Sequence, residues 1–282
     1  MSSRAVVLGS GGVTGIAWEL GLLAGLADRG IDLAAADLVV GTSAGAVVGA
    51  QLMAGVDLEA RYQRELEGAR GERPGKLGLR NLARLSLAYG RAGGPSDIRR
   101  RVGELALRAR TESEQERRRT VQSWLGRVDS WPAGRLVITA VNARTGDLVT
   151  FDRHGNTDLV TAVAASCASP GVRPPSTVGS ERYIDGGIRS PTNADLAEGY
   201  DRVLILTPTA GTGRGQGSPA EEVSRLAERS RVMQIEPDAE ARKAVGHLMP
   251  QMLRPARRAQ AAEAGREQAV RVSAEIASLW TA

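Results

Sequence analysis

Short apolar runs alternate with glycine-containing turns over the first part of the chain. Residues 5–8 are apolar and lead into a glycine-rich loop, and residues 15–29 follow with closely spaced leucines. The pattern repeats with a buried run at residues 38–40 and an apolar stretch at residues 44–54. Short runs bounded by glycine favour buried strands, and the longer stretches favour buried helices. The order strand, helix, strand, helix predicts a parallel, right-handed βαβ core.

A polar segment at residues 57–132 interrupts this pattern. It is rich in arginine and glutamate and is broken by glycine and proline, which predicts a solvated helical cap inserted into a single domain of residues 1–282. Core strands resume at residues 136–141 and 148–151, and again at 202–206. The last part, residues 211–282, opens on a loop at 211–218 and is predicted to be mainly helical.

The stretch at residues 38–56 carries no charge, so a membrane-spanning helix is an alternative interpretation. Its glycines recur at every fourth position, a spacing found where membrane helices pair. Asp37 and Asp57 flank the stretch, however, where a membrane helix favours Lys or Arg on one side. A buried strand that turns into a buried helix explains these residues better. The N-terminal residues also lack the pattern of a signal peptide, so we expect a cytoplasmic protein.

Composition excludes several classes of protein. The 282 residues are 42% hydrophobic and 24% charged, which is typical of a globular chain. Cys167 is the one cysteine and cannot form an internal disulfide, and the two histidines, His154 and His247, are too few for a histidine-rich metal site. The net charge of +5 is modest and comes almost entirely from arginine, so it does not indicate a nucleic-acid partner. We expect neither a metal nor a cofactor.

A G-x-S-x-G pentapeptide at residues 41–45 is the first candidate for chemistry. It follows a predicted strand and precedes a predicted helix, which is the setting of a nucleophilic serine on a sharp strand-to-helix turn. The residues two before and two after such a serine must be small so that the two backbones can pass, and here they are Gly41 and Gly45. Ser43 is therefore the candidate nucleophile. Tight packing between strand and helix without any chemistry is the alternative, which this context disfavours.

The glycine-rich loop at residues 9–15 lies between the first strand and the first helix. Consecutive glycines there allow backbone N–H groups to converge on one point, as stabilisation of an oxyanion requires. A dinucleotide-binding loop is the rival interpretation, since Gly9, Gly11 and Gly15 come close to the Rossmann spacing. That site needs an acidic residue at the end of the second strand, about 20 residues further on. The pentapeptide occupies this place instead, which disfavours an oxidoreductase.

A nucleophilic serine also needs a base. His154 is predicted to lie in an exposed turn and His247 in an ordinary helix, so neither histidine has the sequence context of a catalytic base. A carboxylate within hydrogen-bond reach can do the same work. Asp185 is the best candidate, because it ends a short apolar run and precedes Gly186 and Gly187, which allow close approach of another loop. An aspartate in an ordinary Asp-Gly turn is the alternative.

Taken together and in this order, the glycine-rich loop, the 41–45 pentapeptide and the Asp185-Gly186-Gly187 segment resemble the patatin-like phospholipase family. The likeness covers roughly residues 4–210 and is least clear in the insertion and the C-terminal part. It implies a three-layer α/β/α fold with a mainly parallel central sheet. It also implies a Ser-Asp dyad that hydrolyses acyl esters of lipids without calcium.

Carried over by resemblance, Ser43 is the nucleophile, Asp185 is the base, and the amides of Gly11, Gly12 and Val13 form the oxyanion hole. The chain departs from the family loop at two positions. It has Ser10 where the family usually has Gly, and Thr14 where the family usually carries Lys or Arg. The lost basic side chain would reduce the positive potential near the oxyanion, which leaves a catalytically weak protein as one alternative.

These observations predict a serine acyl hydrolase that acts on a lipid or ester. A Ser-His-Asp esterase that uses His247 remains an alternative, and a dinucleotide-binding oxidoreductase is the least favoured. The basic segment at residues 254–258 is predicted to be a solvated helix start, with transient contact to a membrane surface as its alternative. The sequence does not predict an oligomeric state or a particular lipid.

Overall fold

The structure is a computed structural model that describes residues 2–68, 74–75, 77–209 and 216–281. Most of the loop predicted at residues 211–218 lies outside these ranges. The strands of the sheet come from both halves of the chain: β1 (Arg4–Leu8), β2 (Leu38–Gly41), β3 (Leu136–Asn142), β4 (Leu148–Phe151), β5 (Ser176–Val178), β6 (Glu181–Asp185), β7 (Arg202–Leu206) and β8 (Arg231–Ile235).

The helices fall before, between and after these strands: α1 (Gly12–Ala27), α2 (Ala44–Met53), α3 (Leu58–Leu66), α4 (Leu79–Gly90), α5 (Pro95–Arg108), α6 (Glu114–Leu125), α7 (Leu159–Ser166), α8 (Pro219–Leu226), α9 (Ala239–Val245), α10 (Met249–Met252) and α11 (Arg258–Thr281). The helices in the described ranges are all too short or too polar to cross a membrane.

The centre of the sheet is parallel and one side of it is antiparallel. Hydrogen bonding runs through the strands in the order β5-β6-β3-β2-β1-β7-β8, with β4 also paired to β3. The β1–β2, β2–β3, β1–β7 and β7–β8 pairs are parallel, whereas β4 and β6 run antiparallel to β3. The predicted βαβ core is thus confirmed, and the mainly parallel sheet with it.

Side chains of the central strands alternate between two cores. Val6 and Leu8 point into the larger core, which α1, α2, α7 and α11 cover, whereas Ala5 and Val7 point into a smaller core on the opposite face. That second face is covered by α8 and by a short 3₁₀ helix at residues 194–197. Because both faces are buried, the strands read as continuous apolar runs. The arrangement is the expected three-layer α/β/α fold.

Helix α1 is buried on nearly every side and begins earlier than its apolar pattern predicts. The predicted start was residue 15, but the Gly15 amide donates to the Gly11 carbonyl oxygen (2.9 Å), so the first turn already includes Gly12 and Val13. The fully buried Glu19 lies on this helix, and burial raises the pKa of its carboxyl well above the ordinary value. Glycine in the loop therefore serves a helix start as well as a turn.

The polar segment at residues 57–132 contains α3 to α6, which do not pack as one layer. Helix α3 packs against α1 and α11, and α6 packs against α2 and α7. Helices α4 and α5 share a separate small core with Val141 of β3 and Ile184 of β6. The segment is helical as the sequence predicts, and its role as a cap stays a prediction.

Candidate active site

Ser43 occupies the turn between β2 and α2. Its backbone has φ +54° and ψ −108°, a left-handed conformation that is costly for any residue but glycine, and its residue surface is 7% exposed. A Cβ at Gly41 would lie 2.7 Å from the Gly45 carbonyl oxygen, and a Cβ at Gly45 would overlap the carbonyl oxygen of Leu8. Both flanking glycines are therefore required for strand and helix to pass, as the pentapeptide predicts.

The end of α7 holds this turn in place. The Ser43 amide donates to the hydroxyl of Ser166 (2.8 Å), and the Cys167 thiol donates to the Ser43 carbonyl oxygen (3.1 Å). Burial raises the pKa of Cys167 to about 12, so this thiol keeps its proton. Sequence reasoning assigned no role to these two side chains, because nothing in the local pattern shows which distant turn they contact.

The register of the sheet brings Ser43 and Asp185 together. On one edge of β3, Gly41 pairs with Ile138 and Asp185 pairs with Ala140, while β4 occupies the opposite edge at both positions. Strands β2 and β6 thus follow each other along the same edge and approach from opposite directions. The Ser43 hydroxyl donates to Oδ2 of Asp185 at 3.0 Å.

Asp185 is a buried carboxylate with three hydrogen-bond donors. The Ser169 hydroxyl donates to Oδ2 (3.1 Å) and the Gly187 amide donates to Oδ1 (2.9 Å), in addition to the Ser43 hydroxyl. Burial raises the pKa of Asp185 to about 6, and these donors together with the positive charge of Arg117 offset part of that rise. Burial and, to a lesser degree, the charge of Asp185 raise the pKa of Tyr89 in α4 to about 12. Asp185 is therefore ionised at neutral pH but close to its titration.

A buried asparagine ties the segments around the two residues together. Asn193 has φ +51° and no exposed surface. Its side-chain amide donates to the Ser190 carbonyl oxygen (2.8 Å) and to the Thr42 hydroxyl (3.1 Å), and the Thr42 hydroxyl bonds with that of Thr139 (2.8 Å). The network connects the turn after β2 with the loop that follows Asp185.

Two helix N-termini converge beside Ser43. Gly11 caps α1, and Gly12 and Val13 are its first residues, so their amides belong to the group that has no acceptor within the helix. Ala44 is the first residue of α2 and has the same character, and it was missed at the sequence level. Both helix dipoles favour negative charge at this point.

The two departures from the family loop, Thr14 and Ser10, lie in different surroundings. The Thr14 side chain is buried, and its hydroxyl donates to the carbonyl oxygen of Val245 (2.8 Å) in α9. The Ser10 hydroxyl lies against Gly187, where a Cβ would overlap it. Gly186 is similarly confined, because a Cβ there would overlap the Thr139 hydroxyl. The two glycines after Asp185 are thus needed for close packing of this loop.

Two cavities meet at Ser43. The larger cavity has a volume of about 510 Å³ and also borders Asp185. No described residue of the 57–132 segment borders this cavity. Its far wall comes from α9, α10 and the residues around them: Glu236, Pro237, Arg242, Gly246, His247, Met249, Met252 and Leu253. The small cavity has a volume of about 20 Å³ and borders Gly12, Val13 and Ala44.

The histidines and the basic segment lie in different settings. His247 is exposed on the wall of the larger cavity, and His154 is exposed in the turn after β4. The predicted solvated start of α11 is wrong for Arg258, which is 5% exposed and forms an ion pair with Glu65 (2.6 Å), because the helix start packs against α3. Within the described ranges, no three His, Cys, Asp or Glu side chains are grouped as a metal site requires.

The fold and this geometry define an α/β protein that presents a serine on a strained strand-to-helix turn, against a buried carboxylate and two helix N-termini. The chain belongs to the patatin-like phospholipase family, whose sequence model it matches over residues 6–198. Members of this family typically hydrolyse acyl esters of lipids. Comparison with curated protein sequences finds no significant match.

Two solved structures are similar to this chain at low sequence identity. VipD from Legionella pneumophila is 15% identical with a TM-score of 0.51, and the match covers 97% of this chain and 67% of that one. The type III effector protein ExoU is 16% identical with a TM-score of 0.40 over 96% of this chain and 53% of that one. This chain therefore spans about half the length of ExoU. The likeness to VipD shows the fold, which agrees with the family assignment.

Proposed function

We propose that the protein is a serine acyl hydrolase that cleaves carboxylic ester bonds of lipids through a Ser43–Asp185 dyad. The observation that carries this proposal is the 3.0 Å hydrogen bond from the Ser43 hydroxyl to Asp185, made at the meeting point of the two cavities. At this distance, the serine hydroxyl can transfer its proton to the ionised carboxylate while its oxygen attacks the ester carbonyl.

In the first step, the Ser43 oxygen attacks the ester carbonyl carbon and Asp185 takes the hydroxyl proton. The carbonyl oxygen becomes an oxyanion, which the amides of Gly11, Gly12 and Val13 stabilise at the N-terminus of α1. The bond between the carbonyl carbon and the alcohol oxygen then breaks. The alcohol leaves with the proton held by Asp185, and the acyl group stays on Ser43.

In the second step, Asp185 takes a proton from a water molecule, whose oxygen attacks the acyl-enzyme. The tetrahedral oxyanion forms at the same amides and collapses as the bond to the Ser43 oxygen breaks. The serine oxygen recovers its proton from Asp185, and the carboxylic acid is released. The raised pKa of the carboxyl, about 6, suits a group that must accept and return a proton near neutral pH.

The larger cavity supports a lipid or ester substrate. Its volume of about 510 Å³ lies within the range of small-molecule pockets, roughly 300–1,000 Å³. The apolar part of its wall combines prolines with aliphatic and methionine side chains: Pro170, Ile188, Pro191, Pro208, Pro237, Met249, Met252 and Leu253. Such a wall suits an acyl chain, and methionine adapts to chains of different shape.

A second candidate is a Ser-His-Asp mechanism, which the position of His247 on the cavity wall favours. In that mechanism the imidazole, rather than the carboxylate, would take the serine proton. The Ser43 hydroxyl is already bonded to Asp185, which supports the dyad instead.

Labelling with a fluorophosphonate probe tests the proposal. Wild type, Ser43→Ala and Asp185→Asn are incubated with the probe, and the adduct is located by intact-protein and peptide mass spectrometry. We expect one adduct on Ser43 in wild type, none in Ser43→Ala, and labelling slowed by about 100-fold or more in Asp185→Asn, as for loss of a general base. An unlabelled wild-type Ser43 would overturn the proposal. Release of fatty acid from a panel of phospholipids, glycerides and short-chain esters then identifies the substrate.

A further inference from the structure

Helix α4 presents an apolar face to solvent in addition to the face that packs against the protein. Its buried residues are Leu85 and Ala88, which belong to the small core shared with α5. On the opposite side, Leu79, Leu82 and Leu87 are 86%, 48% and 57% exposed. The steps of three and eight residues from Leu79 place these leucines on one side of the helix, where they form a continuous leucine stripe.

The leucine stripe is not ordinary scatter of apolar residues over a surface. Among the described residues, seven large hydrophobic side chains are exposed, and three of the seven lie on this 12-residue helix. Single exposed hydrophobic residues are normal, whereas a contiguous group of them marks an interaction surface. The stripe therefore indicates a partner that is apolar where it meets the helix.

The surroundings of the leucine stripe are basic. Residues 73–96 contain five Lys or Arg residues and no Asp or Glu. Arg80 and Arg84 are exposed on α4, seven and three residues before Leu87, so they flank the stripe on its Leu87 side. The partner should therefore carry negative charge next to its apolar part.

A groove between α4 and α5 continues the stripe and has the same sign of charge. Its volume is about 220 Å³, and Leu87 belongs both to its wall and to the stripe. Glu104 is the one carboxylate among the described residues that border the groove. Guanidinium groups suit phosphate oxygens, which they can bind through two parallel hydrogen bonds. The wall contains four arginines: Arg84, Arg91, Arg101 and Arg108.

Helix α4 also lies beside the larger cavity at Ser43. The Asn81 side-chain amide donates to the Gly171 carbonyl oxygen (2.8 Å), and Gly171 follows Pro170, which borders that cavity. Ile188 borders the cavity as well and packs against the small core of α4 and α5. A partner on the outer face of α4 would therefore lie close to the candidate active site.

We propose that α4 docks the protein on an anionic lipid bilayer. The leucine stripe enters the boundary between head groups and acyl chains, and the arginines beside it bind lipid phosphates. Basic amphipathic helices bind membranes in this orientation, and each basic residue near an anionic surface strengthens binding. A helix of this length and polarity lies on the bilayer and does not cross it. A second copy of the chain fits the face less well, because a symmetric contact would bring the two sets of arginines together.

Docking on lipid does not depend on the proposed function. Under the proposed function it gains a consequence, since the bilayer would supply ester substrate to the larger cavity from the side of α4. Hydrolysis of lipid in vesicles should then need α4, whereas hydrolysis of a soluble short-chain ester should not.

Flotation with vesicles tests the apolar part of the proposal. Binding is measured in the Ser43→Ala background, so that the lipid stays intact, with vesicles of phosphatidylcholine alone or mixed with phosphatidylserine. Leu87→Ser is compared with Val270→Ser on α11, because the two side chains are 57% and 55% exposed. We expect Leu87→Ser to lower the partition coefficient about tenfold and Val270→Ser to change it by less than about twofold. Equal losses in the two variants would contradict the proposal.

The charged part is tested by a pair of double variants. Arg80→Gln/Arg84→Gln is compared with Arg119→Gln/Arg127→Gln, which removes two exposed arginines from α6 and the turn after it. On vesicles that contain phosphatidylserine, we expect the first double variant to bind about tenfold more weakly and the second to bind nearly as the parent does. Added salt should weaken the parent in the same direction. Circular dichroism verifies that every variant is folded.

Three results would overturn the proposal. The first is a Ser43→Ala protein that does not float with vesicles containing phosphatidylserine, and the second is an equal effect of variant and control. The third is a dimer in sedimentation velocity that Leu87→Ser dissociates without any lipid, because a second copy would then occupy the stripe. Fluorophosphonate labelling of wild-type Ser43 judges the proposed function separately. A protein that is labelled but does not bind vesicles loses only the docking, and one that binds vesicles but is not labelled loses only the proposed function.

Discussion

The surroundings of Ser43 differ on its two sides: one is held by backbone contacts, and the other is formed by side chains. On one side, the turn, the start of α1 and the Asp185 loop are positioned by strand register and by backbone hydrogen bonds, and their small residues touch neighbouring backbone. On the other side, the far wall of the larger cavity consists of side chains from α9 and α10, and several of these, such as His247 and Met249, are exposed. The first side leaves no space for larger residues, whereas the second side can accommodate substitutions.

Under the proposed function, this difference separates the residues that carry out the reaction from those that bind the substrate. Backbone register sets the Ser43–Asp185 distance, so a change there alters the reaction or the fold. Exposed side chains on the far wall make few contacts within the protein, so their replacement alters what is bound while stability changes little. The comparison predicts steep effects on the first side and shallow ones on the second.

Gly45→Ala should give the largest effect. The added Cβ would overlap the Leu8 carbonyl oxygen, which belongs to the central strand and cannot move aside. We expect the free energy of unfolding to fall by about 3 kcal/mol or more, with loss of Ser43 labelling. Urea unfolding followed by circular dichroism measures the change. The matched control is Gly90→Ala, where a Cβ meets nothing within 4 Å and the helix gains a better former; equal destabilisation of both variants would contradict the contrast.

The pH dependence of kcat/KM tests the carboxylate. Burial raises the pKa of Asp185 to about 6, and the proposed reaction needs the ionised form, so we expect full activity above that pH and its loss as pH falls through it. Two pH units below the pKa, kcat/KM should be about 100-fold lower, a slope of one power of ten per unit. Return of the sample to neutral pH should restore activity. A flat profile down to pH 4 in folded protein would exclude Asp185 as the base.

Asn193→Ala should give an intermediate effect, because it removes hydrogen bonds that support the first side but leaves Ser43 and Asp185 in place. The variant removes the amide that joins Ser190 and Thr42, and it leaves their buried polar atoms without this donor. We expect stability to fall by about 1–3 kcal/mol and kcat to fall about tenfold, with KM nearly constant. Thermal melting and steady-state kinetics measure the two. A large rise in KM with constant kcat would place Asn193 in binding instead.

The sequence predicts the first side better than the second, for a physical reason. A strained turn accepts few residues, so Gly41, Ser43 and Gly45 reveal their role locally, and the glycines after Asp185 do so in part. Arg117 and Ser166 gave no such signal, since an arginine in a charged helix and a serine at a helix end are ordinary in sequence. Their contacts depend on how distant helices pack. The early start of α1 was missed for a related reason, because its first turn is glycine rather than leucine.

Met249→Ala tests the far wall. The side chain borders the larger cavity and is 39% exposed, so its truncation should raise KM for a long-chain ester about threefold and change stability by less than about 0.5 kcal/mol. The matched control is Leu248→Ala, since Leu248 is 54% exposed and does not border the larger cavity. Kinetics with a long and a short ester distinguish the two. If Met249→Ala lowered kcat as much as Asn193→Ala does, the proposed difference between the two sides would be wrong.

His247→Ala should give the smallest change in kcat, and it decides between the dyad and the histidine alternative. His247 belongs to the far wall, so we expect a shift of a few-fold in KM and a change in kcat of less than about twofold. A general base increases the rate by about 10²–10⁴-fold, so removal of a histidine in that role would lower kcat by far more than twofold. The exposed His154 provides the control for loss of an imidazole. A 100-fold fall in kcat for His247→Ala, with Asp185→Asn retaining labelling, would show that the imidazole of His247 takes the serine proton. The far wall would then contribute a catalytic residue.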